Sequence, residues 1–154
     1  MDRVRSQAQR EAIGEALGLL PEPIVRRLGR VHFLDCDPIF AGLHADLQPN
    51  STAWGGRSPR TTSHTCYPWH TSDGTTTVVL LGHEEPHIVL HEIAHALDST
   101  LDFRHIAKPV TWYAALNRAE AFAESVTARF LWYGDQDAFA SDHASHAFWE
   151  RLTA

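Results

Sequence analysis

Two histidines four residues apart with a glutamate beside the first, His91-Glu92-Ile93-Ala94-His95, have the clearest chemical content in this chain. In a helix, residues four apart lie one turn apart on the same face, so both imidazoles can grip one ion. Glu92 is rotated by the ~100° step of a 3.6-residue turn and can reach a water on that ion instead of the ion itself. Such a set suits the activation of water for attack on a carbonyl. The chain holds 11 His in 154 residues, so a chance pentad is a real rival and the surrounding elements must decide.

Those elements favour the motif. Pro86 suits the first turn of a helix, with Glu84 and Glu85 near its positive end. Val89, Leu90, Ile93, Ala94 and Leu97 make an apolar stripe, and His91, Glu92, His95 and Asp98 lie off it on an edge expected to be free. A catalytic zinc site takes three protein ligands and leaves one position for water. Downstream of His95 the candidates are Asp98, Asp102, His105, Glu120 and Glu124. Asp98 is only three residues on in the same helix and too short to reach an ion held by both histidines. It is expected outside the ligand set, orienting a ligand histidine. Glu120 and Glu124 lie one turn apart in a second helix, predicted from Arg118 to about Tyr133 with Asn117 as N-cap and Gly134 as its end. A helix packed across the first is the natural source of a carboxylate from a new direction. A competing His87/His91 pair lacks an intervening glutamate, and His143 and His146, three apart near the C-terminus, read as surface or core.

The larger pattern, H-E-x-x-H-x-x-D followed by Glu120-Ala121-Phe122-Ala123-Glu124 with Tyr113 seven residues before its first glutamate, resembles the gluzincin metallopeptidases. Within that group it is most similar to the lethal-factor catalytic domain and the Pro-Pro endopeptidases. Residues 86–131 carry the likeness; the lead-in from Leu20 to Asp35 matches loosely, and residues 41–74 match nothing in those families. The resemblance implies zinc on His91, His95 and Glu120, Glu92 as general base and acid, and Tyr113 as the phenol supporting the transition state. It places Glu124 just behind the ligands, where Asp98 is also expected from its position in the helix. It also implies a compact zincin-like α+β domain: a small mixed sheet, an active-site helix, a glutamate-bearing helix and a C-terminal helix. The expected function is zinc-dependent endopeptidase action on a protein or peptide through a water activated by the zinc. A weaker likeness to regulatory ImmA/IrrE-type peptidases is the alternative. A catalytically silent zinc-binding interaction domain and a structural domain with an accidental pentad are the others. Retention of Glu92, Glu120 and Tyr113 together argues against the last two.

The remaining residues must build the frame. Val4, Ala8, Ala12, Ile13, Ala16 and Leu17 predict a helix over 3–18, and Pro23 opens a short helix to Leu28 that Gly29 ends. Val31–Asp35 reads as a strand running into an Asp37-Pro38 turn, and Thr75–Leu81, β-branched and apolar and stopped by Gly82, as another. If that second strand had a free edge above the cleft, it could hold an extended peptide. From Gln48 to Gly74 the chain is loop-like, with short strands expected near Ala53 and around Thr65–Tyr67. A final helix is predicted from about Gln136 to Leu152.

One domain over 1–154 is expected: helices in 1–30, sheet and loops in 31–82, and the zinc-binding helices in 83–154. Net charge is −6; residues 1–30, with six Arg against four acids, carry +2, which leaves −8 elsewhere. That balance argues against nucleic acid as a partner, which requires a basic face. No apolar run approaches the ~20 residues of a membrane helix. The polar N-terminal pattern predicts a cytoplasmic chain, with secretion or delivery into a host still open. Cys36 and Cys66 read as free thiols. A monomer is favoured.

Overall fold

The computed structural model describes residues 6–34, 64–66, 75–80, 85–101 and 105–154. Helix α1 (Gln7–Leu19) starts where the Ser6 hydroxyl accepts from the Gln9 amide. Helix α2 (Glu22–Leu28) carries Pro in its first turn and ends at Gly29, whose φ of 63° is the left-handed conformation that only glycine adopts without cost. Strand β1 (Val31–Leu34) follows, then β2 (His64–Cys66) and β3 (Thr76–Val79). The sheet order is β1-β3-β2, with β1 parallel to β3 (Phe33 opposite Val78) and β2 antiparallel to it (Thr65 opposite Val78). Both edges of β3 are therefore used. The strand expected to offer an edge to a peptide is central, because pairing partners come from distant parts of the chain and leave no local trace. The strand beside the site is β2.

Helix α3 (Pro86–Asp98) carries the pentad, with Pro86 in its first turn. A 3₁₀ turn (Ala114–Leu116) leads to α4 (Arg118–Phe130), where the Asn117 side chain accepts from the Glu120 amide at 3.0 Å, as its sequence position predicts. The predicted last helix is two: α5 (Gln136–Ala140) and α6 (His143–Thr153). The break lies at Asp142. Its carboxylate takes the Ser145 amide at 3.1 Å and hydroxyl at 2.6 Å, capping α6, and also the Lys108 amide at 2.8 Å. A residue bonded in this way cannot continue a helix.

The main core lies between α1, α2, the sheet and the α3/α4 pair, and holds Ile24, Phe33, Val78, Leu80, Val89, Leu90, Ile93 and Leu97. Phe122, Phe148 and Trp149 extend it from α4 into α6, with Phe122 and Trp149 stacked at 6.2 Å. Truncating either of these two buried rings to alanine removes about 3–5 kcal/mol by the usual cavity cost. The resulting architecture is α+β and helix-rich with a small mixed sheet. Among the described residues no helix is long and apolar enough to cross a membrane. The Asp37-Pro38 turn, the strand near Ala53, most of the 48–74 loop, Gly82, Glu84, Asp102 and the thiols of Cys36 and Cys66 lie outside the described residues.

Candidate metal centre

Because α3 buries Val89, Leu90, Ile93 and Leu97, it must turn His91 and His95 toward α4. Their Nε2 atoms face each other at 3.1 Å. Glu120, in the first turn of α4, brings its Oε2 to 3.0 Å from His91 Nε2 and 3.5 Å from His95 Nε2. These three donors form a group that could hold a metal ion. Glu120 Oε2 is buried and its close contacts lack hydrogen-bond geometry. A buried carboxylate oxygen left in that state costs free energy unless a cation shares it.

Behind the group, His91 Nδ1 lies 2.7 Å from Glu124 Oε1. A donated Nδ1–H there fixes the tautomer and turns the Nε2 lone pair toward the group. Glu124 is fixed in turn. Its Oε2 accepts from the Thr111 hydroxyl at 2.8 Å, the same Thr111 oxygen accepts the Ala114 amide at 3.0 Å, and the nearby Tyr133 phenol helps to hold the carboxylate's pKa down. Gly134 makes this convergence possible. Its φ is 70°, and a Cβ there would lie 2.8 Å from the Val110 carbonyl oxygen, which takes the Asp135 amide at 2.7 Å. Segment 131–135 therefore crosses 110–111 closely enough to bring Tyr133 and Thr111 to one carboxylate.

Electrostatics follow from this crowding. Burial pulls the His91 imidazole down, but the Glu120 and Glu124 carboxylates outweigh it and hold it up at about 10. Burial would raise Glu120, yet His91 and His95 bring it to about 2, and Glu124 is lowered chiefly by His91. The Glu120 and Glu124 carboxylates flank His91, a concentration of negative charge that a cation or a proton on His91 would offset.

Glu92 points elsewhere, as a residue 100° around the helix should. The Thr65 hydroxyl on β2 lies 2.7 Å from its main-chain oxygen and 3.0 Å from its Oε2. The Tyr113 ring sits 5.9 Å from the His91 ring, with Trp112 edge-on to it at 5.6 Å and 75% exposed. Asp98 does not orient a histidine. Both its oxygens are engaged by the Arg118 guanidinium, with Nη1–Oδ1 at 3.1 Å, while His95 Nδ1 is buried without a hydrogen-bond partner among the described residues. Nor is the polar edge of α3 free: Glu92, His95 and Asp98 are all buried, covered by β2 and α4.

The other described histidines fall outside the group. His87 stacks on Tyr133 at 5.4 Å, and His146 packs edge-on to Phe139. His105 is buried, stacked on Phe148 at 4.7 Å and bonded to the Ser145 hydroxyl at 2.7 Å; burial lowers its pKa. Sequence reasoning missed Thr65, Thr111, Arg118 and Tyr133. A lone hydroxyl or guanidinium has no spacing signature, and each acts on a residue distant in sequence. Comparison of the chain with protein-family models, with curated proteins and with solved structures finds no match.

Proposed function

We propose that this chain is a zinc-dependent endopeptidase of the gluzincin type. The observation that carries the reading is the set of separations 3.0, 3.1 and 3.5 Å among one carboxylate oxygen and two imidazole nitrogens. Zinc–ligand bonds of about 2.0–2.2 Å in tetrahedral array separate donors by about 3.3–3.6 Å, within a few tenths of an ångström of these separations, so these residues fit zinc with one position left over. When bound, the ion would act as a Lewis acid, polarising the scissile carbonyl and acidifying a water.

The chain's own residues supply the rest. Glu124 and Thr111 hold the His91 ring in place. Glu92, anchored by Thr65, takes a proton from the attacking water and passes it to the leaving amine. Tyr113, beside His91, donates to the oxyanion that forms on the substrate, a role typically worth about 3 kcal/mol. The likeness in residue pattern to gluzincins supports this assignment of roles. So does the crowding of the mostly buried Glu120 and Glu124 carboxylates against His91, which is costly without such a function.

Glu92→Gln tests it. The variant is expected to bind one zinc while cleavage of a peptide library falls by about 100-fold or more. Full turnover in that variant would sink the peptidase reading. Zinc bound without cleavage by the unaltered chain would leave a binding module instead. Glu120→Ala should weaken zinc binding more than Glu124→Ala, and the reverse order would move the third ligand.

A further inference from the structure

Asp98 and Arg118 stand at the wrong ends of their helices. Asp98 is the last residue of α3, where carbonyl groups already concentrate negative charge, and Arg118 is the first of α4, where amide groups concentrate positive charge. Each is disfavoured by its own helix, and each is mostly buried, with side-chain exposures of 5% and 22%. A buried ion pair of this kind is a poor source of stability, since desolvation offsets the attraction. Its geometry is nevertheless closely specified. The guanidinium meets both carboxylate oxygens, and Nη1 also donates to the His105 carbonyl at 3.2 Å.

The pair joins the two turns that matter for the metal centre. Asp98 follows His95 by three residues, one turn along the same face, and Arg118 precedes Glu120 by two. His95 lacks a partner at Nδ1 among the described residues, so its ring has no anchor there comparable to Glu124 on His91. Its position against Glu120 depends on how α3 and α4 are set relative to one another.

We infer that the Asp98–Arg118 pair is a positioning clamp that sets Glu120 against His95 and so tunes metal affinity, rather than a stabilising contact. The inference rests on the reading of His91, His95 and Glu120 as a metal centre and not on peptidase activity. Arg118 is a positioning residue acting through the helix it begins.

The test measures Co²⁺ affinity of the full chain from the visible absorption of the bound ion, alongside thermal unfolding of the metal-free protein. In Asp98→Leu/Arg118→Met, apolar side chains replace the buried pair; metal-free Tm is expected to hold or rise while Co²⁺ affinity falls about 10–100-fold. Arg118→Lys keeps the charge but loses the planar fork, and should also weaken Co²⁺ binding by about tenfold or more. It decides the matter if the double variant does not fold. Unchanged Co²⁺ affinity in either folded variant overturns the clamp. So does a metal-free Tm of the double variant that drops in step with affinity, which would make the pair an ordinary structural contact. Failure of the unaltered chain to take up Co²⁺ would overturn the metal centre itself, and is seen before any variant is compared.

Discussion

At the residue scale, an ion taken up by the candidate centre would compete with a proton for His91. Its imidazole is held at about 10 because burial, which would lower it, is outweighed by Glu120 and Glu124. In the metal-free chain His91 therefore carries a proton at neutral pH, and an entering ion must displace it. Zinc affinity is expected to rise about tenfold per pH unit from about 7 toward 10, with close to one proton released. Calorimetric titration in buffers of different ionisation enthalpy counts that proton, and a flat affinity over this range would contradict the coupling. For stability the sign follows from the same shift. The folded pKa lies above the ordinary 6.5, so the contribution is full below that value and is lost as pH rises toward 10. Glu124→Gln, which removes one of the two carboxylates, should shrink both effects.

At the scale of elements, a three-residue strand anchors the residue with the most chemical work assigned to it. β2 touches α3 through Thr65, whose hydroxyl meets Glu92 at both its main-chain oxygen and its carboxylate. Thr65→Val keeps the shape and removes the donor, leaving a buried carboxylate short of a partner. We expect a loss of about 1–3 kcal/mol in urea unfolding. Zinc stoichiometry should stay the same and turnover should fall, while Thr65→Ser restores both stability and turnover. An unchanged unfolding midpoint in the valine variant would show that Glu92 does not depend on β2. The helix starts at this scale were largely legible, but α4 stops at Phe130, short of the expected end at Tyr133 and Gly134. Asn117 caps α4 and Gly29 closes α2, because capping and left-handed backbone are local matters. The break in the last helix was not legible, since Asp142 is held by the Lys108 amide from 34 residues away as well as by Ser145.

For the molecule as a whole, an ion held by His91, His95 and Glu120 would belong to the folded state alone, because the unfolded chain does not keep these residues together. At about a thousand times its dissociation constant, zinc should add about 4 kcal/mol of stability. In a chain of 154 residues that corresponds to a rise in Tm of roughly 8–16 °C. Calorimetric scans with zinc and with chelator measure it, and His95→Ala should abolish the difference; an equal shift in that variant would place the ion elsewhere. Sequence by itself determined what repeats over short distances: the helical spacing that pairs His91 with His95, the apolar stripe that they lie beside, and the helix starts set by Pro86 and Asn117. A likeness in residue pattern singled out Glu120 among the candidate ligands and added Tyr113. Only the tertiary structure decided which groups meet. It put Glu124 rather than Asp98 behind a histidine, gave Asp98 to Arg118, brought Thr65 to Glu92, and made β3 the central strand. Those outcomes depend on how α3, α4 and the sheet pack, and packing is set by the whole core, while helix period and capping are set by a few neighbouring residues.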